Sequence, residues 1–369
     1  MLSAVEYVES LSPWPKDGFG LDRIKALLAE LGEPQLAYPS IHVVGTNGKS
    51  TVTRTIEELL AQAGLAVGAY LSPHVRGWSE RIRVRGEEAD FEAAVERVRG
   101  PAERLDATQF ELVTAAALAE FAAAKVDVAV VEAGLGGRYD ATNVLCSPVQ
   151  VLTNVALEHT DVLGTTREAI AGEKLAVVQP GATVVLTEPE WEEPARVNGA
   201  ATVVVAGRSN LAVALVAAEA FLGRPVDGHV DVRLPGRLER VSEDPLEIWD
   251  GAHNLAGVGY VLARLPSARY VVVASILAHK DVEGMVAALS ALGSRLVATT
   301  SSSSRALSAA DLAERAARYF TDVEAIDDPA AALAHARGLG KPVLVTGSLY
   351  LLADLAKDES VRWRTLATG

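Results

Sequence analysis

The alternation of short apolar segments with helix-like segments is the feature that most constrains the fold of this chain. Near-continuous apolar strands that alternate with helices are typical of a mostly parallel sheet covered on both faces. The pattern therefore predicts an α/β protein. The predicted strands are 41–44, 66–70, 126–131, 149–153, 183–186, 247–249, 270–274, 295–298 and 342–346. The predicted helices are 51–63, 110–124, 210–222, 254–264, 281–292, 308–318 and 329–337.

The length of the chain and a break in this pattern predict two domains. With 369 residues, the chain is too long for one ordinary core. A polar stretch that begins at Gly223-Arg224-Pro225 and reaches Gly236 separates the two halves of the alternation. We predict a P-loop ATPase-like domain with a mostly parallel sheet over residues 1–227. A smaller Rossmann-like α/β domain is predicted over residues 235–369.

The composition excludes several classes of protein. Apolar residues make up 49% of the chain, and a net charge of −14 disfavours nucleic-acid and anionic-membrane partners. The single cysteine, Cys146, excludes an internal disulfide and a cysteine-based zinc site. The start of the sequence lacks the pattern of a signal peptide, and no apolar stretch reaches the roughly 18 residues that span a bilayer. We expect a cytoplasmic monomer.

A glycine-rich loop follows the first of the apolar strands. Residues 41–44 lead into Gly45-Thr46-Asn47-Gly48-Lys49-Ser50, after which a helix is predicted. This order of elements directs backbone N–H groups at a phosphate chain, with Lys49 on the terminal phosphates and the Ser50 hydroxyl facing Mg²⁺. The spacing differs from G-x-x-x-x-G-K-[ST], and the alternative is a plain strand-to-helix turn. The G-K-S-T ending favours nucleotide binding.

Two further strands are followed by polar side chains that metals prefer. Glu132 follows the predicted strand 126–131, and His159 comes soon after the predicted strand 149–153. Side chains at the carboxyl ends of parallel strands point into the crevice where such sheets bind ligands. The alternatives are a surface glutamate in a flexible turn and a structural histidine. Lys174 follows Gly172 on a predicted helix, and its pattern alone predicts a solvated surface charge.

Seven segments in this order resemble the folylpolyglutamate synthase/dihydrofolate synthase family, a branch of the Mur ligase superfamily. The segments are SPHVRGWSERIRV, QFELVT, VEAGLGGRYDATNV, LTNVALEHTDVLG, GEKLAVV, PGRLE and DGAHN. The resemblance extends from Gly20 to Tyr350. The chain departs from the usual family pattern in Ser50 after Lys49, in Leu255 after Asn254, in His279 before Lys280 and in a short region between Trp191 and Asn210.

The resemblance implies roles for individual residues of this sequence. The ATP phosphates would be bound by the loop residues Thr46, Asn47, Gly48, Lys49 and Ser50. One Mg²⁺ would be bound by Ser72 and Glu132, and a second by Glu132, His159 and Lys174, the lysine being carbamylated by CO₂. Lys49, Lys174 and His159 would be the catalytic group. Asn210 would contact adenine, and ATP would be reached across the interdomain cleft by Arg237, Asp250 and His253. The pterin substrate would lie at His74, Arg81, Phe110 and Asp140.

The implied function is an ATP-dependent ligase that joins L-glutamate to a folate-type carboxylate through an acyl phosphate. The nearest alternative is a Mur ligase-like enzyme that joins an amino acid to a different carboxylic acid. A non-catalytic nucleotide-binding module is disfavoured because Glu132, His159 and Lys174 are all present. An NAD(P) dehydrogenase is disfavoured because no G-x-G-x-x-G follows a strand in the second half. The expected ligands are ATP, two Mg²⁺ ions, a pterin or folate, and glutamate.

Overall fold

The computed structural model describes residues 2–16, 18–228 and 230–357. By its internal contacts the chain divides into two compact units. The first unit runs up to His74 and continues from Trp78 to Val232. The second unit comprises Val75–Gly77 and the chain from Arg233 onward. Within the described residues, no helix combines the length and the apolar character needed to cross a membrane.

The first unit contains eight strands and nine α-helices among its described residues. The strands are β1 (Ser40–Val44), β2 (Val67–Tyr70), β3 (Ile82–Val84), β4 (Glu87–Glu88), β5 (Val128–Glu132), β6 (Val149–Leu152), β7 (Thr183–Leu186) and β8 (Thr202–Val205). The helices are α1 (Ala4–Ser10), α2 (Asp22–Glu30), α3 (Lys49–Gln62), α4 (Phe91–Arg104), α5 (Gln109–Ala123), α6 (Thr160–Leu163), α7 (Arg167–Leu175), α8 (Glu192–Val197) and α9 (Asn210–Leu222). Short 3₁₀ turns cover Pro34–Leu36, Trp78–Arg81 and Pro189–Trp191.

The eight strands form one sheet in the order β4-β3-β2-β5-β1-β6-β7-β8. Strands β2, β5, β1, β6, β7 and β8 pair in parallel, whereas β3 and β4 pair antiparallel at one edge. Because β1 lies between β5 and β6, the carboxyl ends of these three strands meet at one edge of the sheet. The glycine loop, Glu132 and the segment after β6 are therefore neighbours.

Alternate side chains of β1 face opposite sides of the sheet, as expected for a strand buried on both faces. Ile41 and Val43 pack in one buried cluster with Val52 and Ile56 of α3. His42 lies between them in sequence, is also buried, and faces away from that cluster. The strand therefore separates the face covered by α3 from the face that holds His42.

The second unit is a smaller α/β unit. Its strands are β9 (Glu239–Glu243), β10 (Leu246–Trp249), β11 (Val271–Ala274), β12 (Arg295–Ala298), β13 (Asp322–Ala325) and β14 (Val343–Thr346). Its helices are α10 (Leu255–Leu262), α11 (Val282–Leu289), α12 (Ala309–Ala316), α13 (Pro329–Gly338) and α14 (Leu349–Lys357), with a 3₁₀ turn over Ser290–Leu292. The strand order is β13-β12-β11-β14-β10-β9, and only β9 pairs antiparallel among the described strands. The predicted α/β class with mostly parallel sheets is confirmed.

Three local predictions require correction. Helix α3 begins at Lys49, two residues before the predicted start at residue 51, because the left-handed Gly48 ends the loop. Glu132 is the last residue of β5 and does not follow the strand. Gly172 lies inside α7, which begins at Arg167, so Lys174 occupies the last turn of that helix.

Candidate functional site

The glycine loop after β1 adopts a conformation that requires its glycines. Gly45 and Gly48 have φ values of +146° and +83°. A Cβ atom at position 45 would overlap the Thr153 side chain, and one at position 48 would lie 2.8 Å from Oδ1 of Asn210. Both positions combine a left-handed backbone with a close neighbour, so a larger residue would displace the loop. The loop leads directly into the N-terminus of α3, where the helix leaves backbone N–H groups free for an anion.

The segment after β6 holds the glycine loop from one side. The backbone N–H of Thr46 donates to the Asn154 carbonyl, and that of Asn47 donates to Asn154 Oδ1, both over 3.0 Å. Thr153 Oγ1 in turn donates to the Asn47 carbonyl over 2.7 Å. These bonds fix the conformation of the loop, and a preorganised loop reduces the entropic cost of binding a ligand.

Two lysine side chains converge on the loop. Nζ of Lys49 lies 3.2 Å from the carbonyl oxygens of both Gly45 and Thr46. Nζ of Lys174 donates to the Gly45 carbonyl over 2.7 Å. Lys174 is only 2% exposed, so the prediction of a solvated surface charge is wrong. The lysine is buried because it lies on the inward stripe of α7, four residues after Ile170.

Burial lowers the pKa of Lys174 to about 7. The neighbouring charge of Lys49 contributes to this decrease, whereas Glu158 and Asp140 oppose it. The cause is that a buried ammonium loses its hydration and faces a like charge. A substantial fraction of Lys174 is therefore a neutral, nucleophilic amine near neutral pH.

Glu132 joins three strand ends in one hydrogen-bonded group. Its Oε1 accepts from Ser50 Oγ over 3.0 Å, and its Oε2 accepts from the Ser72 backbone N–H over 3.1 Å. Only 1% of Glu132 is exposed. A buried carboxylate beside a hydroxyl group supplies the hard oxygen donors that Mg²⁺ prefers. The structure thus brings together three of the predicted metal ligands, Ser50, Ser72 and Glu132.

His159 has a different immediate partner. It precedes α6 with a left-handed φ of +48°, and its Nε2 lies 3.4 Å from Oε1 of Glu158. Among the described residues, no group of three or more His, Cys, Asp or Glu side chains is arranged to hold a metal ion. The second predicted metal site, with Glu132, His159 and Lys174, stays a prediction.

Three of the residues predicted to bind the pterin lie around aromatic rings. Arg81 Nε donates to His74 Nδ1 over 3.0 Å, and its guanidinium lies 4.5 Å from the ring centroid of Trp78. The His74 and Trp78 ring centroids are also 4.5 Å apart. Phe110 lies 6.1 Å from Tyr70, centroid to centroid. The rings offer apolar faces, and Arg81 and His74 offer polar contacts, which suits a flat heteroaromatic ligand.

Asp140, the fourth of these residues, is buried in the loop that follows β5. Its Oδ1 accepts from the backbone N–H of Thr142 over 3.0 Å, and its Oδ2 accepts from that of Leu135 over 2.7 Å. Burial raises the pKa of Asp140, and these hydrogen bonds oppose the increase. A Cβ atom at Gly134 would overlap Phe110. The loop that Asp140 stabilises therefore runs against the Phe110 ring.

The remaining residues predicted to bind the nucleotide are divided between the two units, with Asn210 in the first and the other three in the second. In the first unit, Asn210 begins α9 and lies against Gly48 of the glycine loop. In the second unit, Asp250 accepts backbone N–H bonds from Leu238 and Ala252, each over 2.8 Å. Burial raises the pKa of Asp250, while the nearby Arg237 and His253 lower it. Arg237, Asp250 and His253 therefore lie close together.

Sequence reasoning missed several residues of the site. Trp78, Glu158, His42 and Thr142 lie inside or beside the motifs but were assigned no role. Arg167 and Glu188 were also missed: Glu188 Oε2 accepts from the Val155 N–H over 3.1 Å and Oε1 accepts from Arg167 over 2.9 Å. Both residues are distant in sequence from Val155, in the segment after β6 that they support. For Lys174, which the family resemblance identified, the inward stripe of α7 is the pattern that the prediction of a surface charge overlooked.

Comparison with known proteins identifies the family of this chain. Residues 43–221 match the Mur ligase middle domain, and residues 236–349 match the glutamate ligase domain of Mur ligases. The dihydrofolate synthase/folylpolyglutamate synthase of Escherichia coli (strain K12) is 33% identical over 407 residues, which cover 96% of this chain and 94% of that protein. The chain belongs to the dihydrofolate synthase/folylpolyglutamate synthase family. The predicted family and enzyme class, an ATP-dependent ligase, are confirmed.

Solved structures of the family have the same fold. The E. coli FolC complex with DHPP and ADP superposes with a TM-score of 0.87 at 30% identity and covers 98% of this chain and 100% of that one. A bifunctional folylpolyglutamate synthase/dihydrofolate synthase with Mn, AMPPNP and L-glutamate bound gives a TM-score of 0.83 at 32% identity, with coverage of 94% and 95%. These relatives bind an adenine nucleotide, and the second also binds a divalent metal and glutamate.

Proposed function

We propose that this family member joins L-glutamate to a folate-type carboxylate, with dihydropteroate and folylpolyglutamates as the substrate class. ATP is cleaved to ADP and phosphate in the reaction. The observation that carries the proposal is the convergence of Lys49, Ser50 and Glu132 at a glycine loop that leads into α3. The relatives with bound ADP, DHPP and glutamate support the choice of substrates.

The chemistry begins with transfer of the γ-phosphoryl group of ATP to the substrate carboxylate. The N–H groups at the start of α3 and the Lys49 ammonium stabilise negative charge that develops on the phosphoryl oxygens. The resulting acyl phosphate is attacked by the glutamate amine, which loses a proton. The tetrahedral intermediate then collapses to the amide and releases phosphate. Lys49 must leave the carbonyl oxygens of Gly45 and Thr46 to reach the phosphates.

A divalent ion suits the carboxyl end of β5. The buried carboxylate of Glu132, the Ser50 hydroxyl and the Ser72 residue would hold Mg²⁺, which supplies charge neutralisation of the phosphates when bound. Replacing Glu132 with Gln removes the negative charge and should raise the Mg²⁺ concentration needed for half-maximal activity. Activity titrated against Mg²⁺ measures this shift, and superimposable curves for both proteins would contradict the metal role.

We propose that Lys174 is carbamylated. A free ammonium has only donors and repels a cation, so Lys174 can ligate a metal only after modification. The neutral amine attacks CO₂, a C–N bond forms, and the lost proton leaves an anionic carbamate whose oxygens suit Mg²⁺. The burial of Lys174 and its lowered pKa favour the neutral amine that this step requires. His159 would be a further ligand of this metal.

We also propose that Asn210, Arg237, Asp250 and His253 bind ATP.

The substrate proposal is tested by coupled measurement of ADP release. Dihydropteroate, tetrahydrofolate and a folate diglutamate are each supplied with ATP, Mg²⁺ and L-glutamate, against controls that lack the carboxylate substrate or the amino acid. We expect release only when both are present. A panel of other acids and amino acids tests the alternative Mur ligase-like activity. Activity with a member of that panel, and none with the three folate-type acids, would replace the proposal by the alternative.

A further inference from the structure

A buried hydrogen-bond chain links β1 to the loop after β5, and two of its members, His42 and Thr142, have no assigned role in the site. His42 Nε2 lies 2.8 Å from Thr142 Oγ1, and Thr142 Oγ1 donates to Asp140 Oδ1 over 2.5 Å. The three side chains are 2%, 0% and 5% exposed. Asp140 then accepts the Leu135 N–H. The chain thus runs from the strand that carries the glycine loop to the loop beside Phe110.

The direction of each bond follows from the acceptors at Asp140. The carboxylate already accepts two backbone N–H groups, so it acts as the terminal acceptor, and the Thr142 hydroxyl gives it its one proton. A lone pair of Thr142 Oγ1 then remains to accept a proton from His42 Nε2. His42 therefore carries a proton on Nε2. Burial lowers the pKa of His42 to about 4, which agrees with a neutral ring.

We propose that His42 is a positioning residue that, through Thr142 and Asp140, fixes the Gly134–Leu135 segment against Phe110 and so sets the affinity for the pterin ring. The proposal rests on the proposed function and on the pterin-binding roles that the family resemblance implies for Phe110 and Asp140. His42 does not touch the substrate itself; it supplies the proton that orients the Thr142 hydroxyl. A buried donor that loses its acceptor raises the free energy of the folded protein. Each side chain of the hydrogen-bond chain therefore constrains the orientation of the next.

The position of His42 on β1 makes the effect selective. Ile41 and Val43 pack against α3, which begins at the phosphate-binding end of the glycine loop, whereas His42 faces the opposite side of the sheet. Loss of the His42 hydrogen bond should therefore disturb the loop beside Phe110 and leave the glycine loop in place. The expected signature is a change in the KM for dihydropteroate without a change in the KM for ATP.

Matched substitutions in the full-length protein test this selectivity. Thr142→Val removes the hydroxyl at nearly constant volume, and His42→Phe removes the ring N–H. Each should raise the KM for dihydropteroate roughly tenfold, the effect of one buried hydrogen bond to a charged group, with the KM for ATP within about twofold of its original value. Thr142→Ser and His42→Gln keep a donor at each position and should restore most of the affinity. Combining His42→Phe with Thr142→Val should cost no more than Thr142→Val alone, because both break one chain.

Two kinetic outcomes would overturn the proposal. One is an unchanged KM for dihydropteroate in Thr142→Val and His42→Phe. The other is an equal rise in both KM values together with a lower Tm, which would assign the three residues to general stability only. If Thr142→Val fails to fold, the KM for dihydropteroate of His42→Phe is compared with that of Thr142→Ser and of His42→Gln, and this comparison still tests the proposal.

A measurement without substrate separates this proposal from the proposed function. Nitrogen NMR of the histidine rings in the unaltered protein should show His42 as the neutral tautomer with the proton on Nε2, and Thr142→Val should accelerate hydrogen exchange at the Leu135 amide. A proton on Nδ1 would overturn the hydrogen-bond chain, whatever the enzyme acts on. Failure of the proposed function would instead appear as no ADP release by the unaltered protein with any folate-type acid.

Discussion

Lys49 and Lys174 show how two cations can share one small site. Both Nζ atoms lie at hydrogen-bond distance from the Gly45 carbonyl, and the charge on Lys49 helps to lower the pKa of Lys174. Under the proposed function, Lys49 binds the ATP phosphates, and Lys174, whose pKa is lowered, is the lysine that we propose to react with CO₂.

Replacing Lys49 with Ala should lower kcat at least roughly 10²-fold, because the developing charge on the phosphoryl group loses a preorganised donor. The fold should persist, since the Lys49 side chain only caps two loop carbonyls. Steady-state kinetics and circular dichroism measure the two effects. Lys25→Ala, at an exposed position of α2, is the matched control and should retain normal turnover. Near-normal turnover in Lys49→Ala would contradict the phosphate role.

Removal of CO₂ should inactivate the enzyme reversibly if Lys174 is carbamylated. The loss should deepen as the pH falls below about 7, because protonation of Lys174 removes the amine that reacts with CO₂. Lys174→Ala should be nearly inactive and should regain part of its activity with acetate, whose carboxylate can replace the carbamate. Native mass spectrometry in labelled bicarbonate detects the adduct. Full activity in CO₂-free buffer, with no adduct at Lys174, would refute the modification.

At the level of secondary structure, the sequence predicted buried elements better than exposed ones. Strand β7 and helix α9 have the bounds that the apolar pattern predicted. Strands β3, β4, β8, β9 and β13 were missed. Strands such as Glu87–Glu88 and Asp322–Ala325 are polar and lack an apolar run, whereas β8 has a short apolar run that was overlooked. Pattern reasoning therefore gave the parallel centre of each sheet but not its margins.

Position along a strand also explains which site residues could be predicted. Glu132 was identified because parallel strands end at one sheet edge, a rule that needs only the order of elements. Lys174 was identified through the family resemblance, whereas the His42–Thr142 pair needed knowledge of which faces pack together. His42 and Thr142 are separated by 100 residues in sequence, and no local sequence pattern predicts their contact. The structure supplies that information through the pairing of β1 with β5 and β6.

His42 should make the stability of the fold depend on pH. Its pKa is about 4 in the folded protein against an ordinary value of 6.5, so between these values only the unfolded chain takes up the proton. Acidification through this window therefore favours unfolding. The contribution of neutral His42 to the free energy of unfolding is fully present above pH 6.5, and roughly 3 kcal/mol of it is lost near pH 4. Urea unfolding at several pH values, compared with His42→Gln, measures it. Parallel pH profiles for the two proteins would contradict this assignment.

At the scale of the whole molecule, the family relationship extends over both units. The superposition with E. coli FolC covers 98% of this chain and all of that one, so no part of the fold that carries the motifs lacks a counterpart. The net charge of −14 does not prevent nucleotide binding, because the first unit places Lys49 and the N-terminus of α3 at the same loop. The local arrangement of charges at the glycine loop, and not the net charge of the chain, determines which ligand can bind.

The central claim is that the chain forms an amide through an acyl phosphate of a folate-type acid. Its most direct test uses dihydropteroate whose carboxylate carries ¹⁸O, incubated with ATP, Mg²⁺ and L-glutamate. Attack of the carboxylate on the γ-phosphoryl group leaves one substrate oxygen on the phosphate when the amide forms. We predict one ¹⁸O atom in the released phosphate for each amide made, measured by mass spectrometry. Amide product accompanied by unlabelled phosphate would contradict the account.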